Sequence, residues 1–201
     1  MKHSERDAHV VVSRDDPVAG FAPRSPESVA PRRPAAVRWA ADVRVRPVSP
    51  ADGDRIQRLV RALSLESRRA RFFSAIRELS RAQLERMTHM AFPATVALVA
   101  ESRGPAKSDI LAIAQYACDE EGPEFAVVVA DSWQQCGIGG RLVRQLVALA
   151  SVAGFSVLHG TVLASNTAML ALAKSLGFTL AADRDPTLVR VVKRLARARS
   201  G

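Results

Sequence analysis

The chain has 201 residues, 48% of them hydrophobic and 24% charged, which is the composition of a globular domain and excludes a collagen-like or wholly disordered chain. No run of about 18 apolar residues is present, so no transmembrane helix is predicted. The charged N-terminus lacks the apolar core of a secretory signal, so the expected compartment is the cytoplasm. The net charge of +9 is spread along a chain with only 5% aromatic residues, which disfavours nucleic-acid binding, and no membrane partner is expected.

Residues 1–40 are predicted to form a disordered or loosely attached tail. They hold five of the eleven prolines, mix both charges and show little hydrophobic periodicity. Residues 41–195 have the patterns of a folded domain, and residues 196–201 form a basic C-terminal end.

The folded part begins with an alternating segment over 42–48 that predicts a half-buried strand. Ser49 then offers a helix N-cap, with Pro50 at the first helical position. A second helix is predicted to start at the capping box formed by Ser80 and Gln83 and to run to about residue 90. Between the two helices, residues 64–76 are expected to form a loop. The first helix should bury one face, which carries Ile56, Leu59, Val60 and Leu63.

The remaining elements are predicted in the order strand, strand, strand, helix, strand, helix, strand, strand. They cover 95–100, 110–116, 124–130, 138–152, 156–163, 167–175, 178–181 and 188–193. Short turns join the early strands, which favours antiparallel pairing, whereas helices connect the later ones. We therefore predict an α+β domain, or a three-layer α/β arrangement, built on a mixed sheet.

A glycine-rich turn over 134–140 separates an apolar strand from a helix. The free N–H groups and the dipole at a helix start attract phosphate, and glycines let the backbone approach the anion. A P-loop also needs Lys-Ser/Thr, and the dinucleotide fingerprint needs a third glycine where Leu142 stands. Both of these nucleotide cradles are therefore disfavoured.

The spacing Gln-x-x-Gly-x-Gly from Gln134 to Gly139 resembles the acetyl-CoA signature of the GNAT N-acetyltransferase superfamily. Downstream, Asn166 and the closing Leu176-Gly177-Phe178 are similar to the family's asparagine-containing helix and its end. The resemblance covers about residues 43–194. Segments 64–73, 78–80 and 97–101 look most like the GNAT domain of bacterial protein lysine acetyltransferases, here expected in a stand-alone form.

This resemblance implies a mostly antiparallel GNAT-like sheet flanked by helices, with acetyl-CoA as co-substrate. The strand backbone at Val127, Val128 and Val129 would hold the pantetheine, together with Asn166, which can equally serve as an ordinary helix N-cap. A second group would surround the phosphates: Gln134, Gln135, Cys136, Gly137, Ile138, Gly139, Gly140 and Arg141. For Arg141, a solvated surface arginine is an equally good reading.

Glu124 is the candidate catalytic base, because its position at a strand start matches that of the family's glutamate. A lysine amine has a pKa near 10.4 and must lose a proton before it attacks the thioester directly, and a nearby carboxylate can take that proton. A strand N–H would meet the thioester oxygen. The alternative is that Glu124 is a polar residue at a strand end.

No general acid is assigned. Many GNAT enzymes carry a tyrosine where Ala173 stands here, and the single tyrosine, Tyr116, is predicted to be buried with a satisfied hydroxyl. His159 is expected to be a buried structural histidine, and Cys136 to fill a small space. The histidines and cysteines show no metal-ligand spacing, so no metal is expected.

These patterns favour an acetyl-CoA-dependent N-acetyltransferase that acts on a protein lysine, as a monomer or dimer. Two alternatives stay open: an acetyltransferase for a small-molecule amine, and a non-catalytic module that senses acyl-CoA. Acceptor recognition is expected in residues 64–76 and in the last hairpin. Within that segment, Arg68, Arg69 and Arg71 form either a surface for an acidic partner or a solvated helix face.

Overall fold

A computed structural model describes residues 43–103 and 109–196, so the predicted tail and nearly all of the basic C-terminal end lie outside the described residues. The strands are β1 (Val43–Pro47), β2 (Thr95–Ser102), β3 (Ile110–Asp119), β4 (Gly122–Val129), β5 (Val157–Leu163), β6 (Thr179–Ala182) and β7 (Leu188–Arg194). The helices are α1 (Gly53–Ala62), α2 (Leu65–Phe72), α3 (Arg81–Thr88), α4 (Ile138–Val152) and α5 (Thr167–Ser175). None of the described helices is long and apolar enough to cross a membrane.

Local capping explains where the helices begin. Ser49 caps a short 3₁₀ turn with Pro50 at its start, and α1 follows directly. At the start of α3 the predicted capping box is formed in both directions, since Ser80 Oγ accepts from the Gln83 N–H at 3.2 Å and Gln83 Oε1 accepts from the Ser80 N–H at 2.7 Å. Helices α4 and α5 have their predicted bounds.

Helix α2 was predicted as a loop, and that prediction is wrong. Its start is fixed by Ser64, whose Oγ accepts from the Ser67 N–H at 3.1 Å. Its sequence lacks the apolar period by which an amphipathic helix is recognised, and none of its residues is fully buried.

The strands form one seven-stranded sheet in the order β1-β2-β3-β4-β5-β7-β6. Every neighbouring pair is antiparallel except β4 and β5, which are parallel. The sheet is therefore mixed and mostly antiparallel with helices on both faces, which confirms the predicted fold class.

Two apolar clusters cover the two faces of the sheet. On one face, α4 packs Leu142 and Leu146 against strand residues that include Phe125, and Ala173 of α5 joins them. On the other face, residues of α1 and α3 pack against the strands, and Val128 of β4 belongs to this cluster. Because side chains alternate along a strand, Glu124 and Val128 lie on the same face as α1, α2 and α3.

An ion cluster fastens β1, the start of α1 and β2 to one another. Arg46 donates to Asp52 at 2.7 and 2.8 Å and to Glu101 at 2.9 Å. Arg55 contacts the same two carboxylates, each at 2.9 Å. The hydrogen bond from Arg46 lowers the pKa of Asp52 to about 2, and it also lowers the pKa of Glu101.

Candidate active site

The sheet is open along a seam between β4 and β5. These strands share one register pair, Glu124 with His159, and then part. The other edge of β5 is paired with β7 along its whole length. Beyond the shared pair lies a cleft of about 1,060 Å³.

The backbone of β4 presents alternate residues to this cleft. The Ala130 N–H donates to the Leu111 carbonyl at 2.8 Å, so backbone groups of even-numbered residues in β4 face β3. The Val129 carbonyl instead accepts from Gln134 Nε2 at 3.2 Å, on the cleft side. By this alternation Val127 and Val129 offer backbone groups to a ligand in the seam. Val128 bonds towards β3, and its side chain is buried.

The glycine turn closes one end of the cleft with unused backbone donors. Gly137 is the N-cap of α4 with φ +82, a left-handed conformation that favours glycine. The Arg141 N–H donates back to the Gly137 carbonyl at 3.1 Å. The amides of Ile138, Gly139 and Gly140, one turn earlier, have no intrahelical acceptor and receive the positive end of the helix dipole. This end of the cleft suits a phosphate group.

A glycine on β5 allows the seam to begin where it does. A Cβ built on Gly160 would lie 2.9 Å from the Phe125 ring and 3.0 Å from the Phe125 carbonyl oxygen. Any other residue would therefore push β4 and β5 apart next to the shared Glu124 and His159 pair. Sequence reasoning missed this position because a glycine inside a strand carries no motif of its own.

Most of the predicted cofactor residues line the cleft, but three do not. Those in its wall are Val127, Val128, Val129, Gln134, Gln135, Gly137, Gly139, Gly140 and Asn166. Cys136 and Arg141 are half-buried outside it, and the Ile138 side chain is buried in the core. Asn166 caps α5 through Oδ1, which accepts from the Met169 N–H at 3.0 Å.

Glu124 has an exposed side chain in the wall of the cleft, beside the point where the strands part. Thr161 of β5 donates its hydroxyl to Glu124 Oε1 at 2.9 Å. This bond crosses the seam and holds the carboxylate on the face shared with α2. Thr161 was not singled out in the sequence, because its role depends on the register of two strands that are far apart in the chain.

Asp131 joins the glycine turn to the start of α2. It accepts from the Ser64 N–H and hydroxyl, both at 2.8 Å, and from the Ser67 hydroxyl at 2.6 Å. Gln134 Nε2 contacts the same group, at 2.9 Å from Ser67 Oγ. Burial raises the pKa of Asp131, but the hydrogen bonds from Ser67 and Ser64 together outweigh it and bring the pKa below its ordinary value.

A second cavity of about 880 Å³ lies between α3, the end of α2 and strand β3. Its wall includes Glu85, Arg86 and His89, which are charged or polar. Arg71, Gln115 and Ala117 line both this cavity and the cofactor-sized cleft, so they stand where the two spaces meet.

The sequence assigned no general acid, and the residue at the position of the family's tyrosine cannot serve as one. Ala173 is fully buried. Tyr116 is also fully buried and packs edge-on against Phe155 at 6.1 Å, on the face opposite Glu124. Its hydroxyl has no hydrogen-bond partner among the described residues, so the prediction of a satisfied hydroxyl is wrong. His159 is buried as expected, with Nε2 3.5 Å from Asp119 Oδ1.

Comparisons with known proteins agree with this architecture. The model of the acetyltransferase (GNAT) family matches residues 74–178. An acetyltransferase of Pseudomonas aeruginosa strain PAO1 is 33% identical over 156 residues, which span 77% of this chain and 83% of that protein.

Solved structures show the same similarity. The GNAT domain of S. lividans PAT superposes with a TM-score of 0.70 at 26% identity, covering 76% of this chain and 90% of that one. A putative acetyltransferase from Salmonella typhimurium, solved with its cofactor acetyl-CoA, has a TM-score of 0.61 at 18% identity and covers 79% of this chain and 97% of that one. At that identity the second likeness concerns the fold alone.

Proposed function

The chain belongs to the GNAT family of acetyltransferases, and on that premise we propose that it transfers the acetyl group of acetyl-CoA to a primary amine, with a protein lysine as the first candidate acceptor. The observation that carries this proposal is the Glu124 carboxylate, which stands at the head of the open seam between β4 and β5. At that point a carboxylate lies in the wall of a cleft that suits the acyl donor.

The cleft fits acetyl-CoA at two places. The free amides at the start of α4 suit the pyrophosphate, and the outward-facing backbone of Val127 and Val129 suits the amide groups of the pantetheine arm. Asn166 keeps its side-chain amide nitrogen for the same arm, because only Oδ1 is used in capping α5. When bound there, acetyl-CoA supplies an activated acetyl thioester.

Glu124 supplies the proton transfer. A primary amine is almost wholly protonated at neutral pH, so its lone pair becomes available only after a proton leaves. The Glu124 carboxylate faces the cleft and can take that proton directly or through one water. The hydroxyl of Thr161 holds one carboxylate oxygen, which orients the other towards the incoming amine.

Two observations support a protein lysine as acceptor. The segments that most resemble bacterial protein lysine acetyltransferases include all of α2, and α2 forms one rim of the cleft. The rim is open to solvent, since Ser64, Leu65 and Glu66 on it are exposed. An exposed rim lets a protein surface approach while one lysine side chain reaches Glu124.

A small-molecule amine is the second candidate. The cavity behind Arg71 and Gln115 has about 880 Å³, which falls within the usual size range of small-ligand sites. A compact acceptor could place its amine at Glu124 and the rest of its structure in this cavity.

Isotope-labelled acetyl-CoA and a cell lysate test the proposal. The purified chain is incubated with both, protein and small-molecule fractions are analysed by mass spectrometry, and release of free CoA thiol is followed in parallel. Label on specific protein lysines, above an enzyme-free control, supports the first candidate, and label confined to small amines supports the second. Binding of acetyl-CoA without thiol release in the presence of any amine would favour the non-catalytic sensor and contradict the proposed activity.

A further inference from the structure

Arg71 differs from several other arginines of this fold in having no carboxylate partner among the described residues. Arg46, Arg55, Arg61, Arg81 and Arg190 each form an ion pair. Arg71 forms none with the described residues, and its guanidinium instead lies over the Phe72 ring at 4.9 Å. Its Nε is sealed from solvent and has no hydrogen-bond acceptor. A buried donor left unsatisfied is costly, which is a reason to look for a missing ligand.

Gln115, which also lines both cavities, is in a similar state. Its Oε1 is buried and has no hydrogen-bond partner among the described residues. Because the two ends of a side-chain amide are assigned from their surroundings, either the oxygen or the NH₂ group can face a ligand. Arg71 and Gln115 together therefore offer a charged fork and an adaptable amide to the same space.

The charges at this junction have opposite signs. Glu124 is close enough for its charge to act on Arg71, although the two side chains are not in contact as an ion pair. Burial lowers the pKa of Arg71 to about 10, so the guanidinium is still cationic at neutral pH. An anionic group beside a cationic one is complementary to a molecule that carries an amine and a carboxylate a short distance apart.

We propose that Arg71, with Gln115 beside it, binds a carboxylate that the acceptor carries next to its reacting amine. The inference rests on the proposed function, since it assigns Glu124 to the amine and Arg71 to the neighbouring anion. Arg71 is then a specificity-determining residue, and the second cavity receives the part of the acceptor beyond the carboxylate.

The carboxylate next to the amine can come from two kinds of acceptor. In a protein acceptor the carboxylate belongs to an aspartate or glutamate beside the modified lysine. In a small acceptor it is the carboxylate of an amino acid. Both place a negative charge within a few ångströms of the amine, and paired substrates separate the two cases.

Two substrate pairs test the proposal by steady-state kinetics with saturating acetyl-CoA. The first pair is a lysine peptide flanked by glutamates and the same peptide flanked by glutamines. In the second pair, each of several free amino acids is compared with its own carboxamide. We expect the acidic member of at least one pair to have a kcat/KM about tenfold higher or more, mainly through KM, as charge-assisted hydrogen bonds allow. The pair that discriminates identifies the source.

Arg71→Gln should abolish that preference and leave the KM for acetyl-CoA unchanged, and Arg71→Lys should restore part of it by returning the charge without the fork. Arg68→Gln is the matched control, because Arg68 lies on the same helix, also has a sealed and unpaired Nε, and lines neither cavity. Thermal unfolding of each variant checks that the fold persists.

The outcomes separate this inference from the proposed function. If amines are acetylated but neither pair discriminates, the carboxylate site is wrong while the activity stands. If Arg71→Gln and Arg68→Gln weaken turnover of acidic and neutral acceptors alike, Arg71 acts only on the structure of α2. If no amine is acetylated at all, the proposed function itself fails.

Discussion

The two cavities that meet at Arg71 and Gln115 differ in the groups that form their walls. The cleft between β4 and β5 includes a strand edge, a glycine turn and the tight approach at Gly160, so part of its wall is exposed backbone. The cavity behind Arg71 is walled by longer side chains that include Glu85, Arg86, His89 and Gln115. Peptide groups recognise a cofactor of constant shape, whereas side chains can change from one relative to the next without loss of the fold. Under the proposed function, the first cavity takes the acyl donor and the second takes the acceptor.

Glu124→Gln tests the proposed base in the wall of the cleft and should have the largest effect. We expect kcat/KM for the amine to fall by about 10²–10⁴-fold at neutral pH, because the base is lost, with little change in acetyl-CoA binding. The deficit should shrink at high pH, where the amine loses its proton unaided. Kinetics over pH 6–10 measure this, with Glu120→Gln, an exposed carboxylate in the nearby turn, as control. Equal rates for variant and parent at every pH would remove Glu124 from the mechanism.

Asp52→Asn tests the part of the fold that relies on charged side chains. Removing one carboxylate from the Arg46 and Arg55 cluster should lower the free energy of unfolding by about 2–4 kcal/mol at pH 7. The folded pKa of Asp52 is about 2 against an ordinary 3.8, so its contribution is present above about pH 4 and is lost as the pH falls towards 2. The pKa shift corresponds to about 2 kcal/mol of the free energy of unfolding, which disappears over this pH range. Urea unfolding between pH 2 and 7 should show a weaker acid dependence in the variant, and an unchanged acid limb would contradict this assignment.

Gly160→Ala tests the part that relies on close backbone approach. The added Cβ meets the Phe125 ring and carbonyl, and such overpacking costs about 1–3 kcal/mol. Because the strain falls where the seam opens, acetyl-CoA should also bind more weakly. Calorimetric titration and denaturant unfolding measure the two effects.

Gly53→Ala is the matched control for this substitution. A Cβ there meets nothing within 4 Å, and the backbone is already helical, so a small gain in stability is expected. If both alanine variants behave alike, the contact between Gly160 and Phe125 does not shape the cleft.

Asp131→Asn tests the link between the glycine turn and the start of α2 and should have the smallest effect. The amide keeps the size of the carboxylate but loses its charge-assisted hydrogen bonds to Ser64 and Ser67, at a cost of about 1 kcal/mol. Hydrogen exchange should become faster at the start of α2, while α1 keeps its protection. Equal exchange in α2 of both proteins would show that Asp131 does not hold that helix.

The sequence predicted most of the fold because its local signals agree with the tertiary structure. Helices α4 and α5 were predicted with their observed bounds, since an apolar period, a capping residue and a terminal glycine all coincide. Helix α2 was missed because it buries no residue completely, so it has a cap but no hydrophobic stripe. Its order comes from Asp131, which is 67 residues from Ser64 in the chain.

The position of the glycine turn at the end of the cleft was predictable for a similar reason. Left-handed turns and close backbone approach to a ligand favour glycine at fixed spacings, and such spacings can be recognised in the sequence. The contact of Thr161 with Glu124, and the unpaired state of Arg71, depend on which distant strand or helix comes to lie alongside. No local pattern records such pairings, so the sequence could point to residues 64–76 for the acceptor but not to these particular contacts.

The single register pair between β4 and β5 divides the sheet into two ladders, β1 to β4 and β5 to β7, that share few backbone bonds. A molecule that fills the seam therefore takes the place of missing rungs and binds the folded chain but not the unfolded one. Its concentration then enters the unfolding equilibrium: at 100 times the dissociation constant, such a ligand adds about 2.7 kcal/mol to the free energy of unfolding. In this fold the acyl donor would act as a structural element, and resistance to heat and proteolysis would follow its supply.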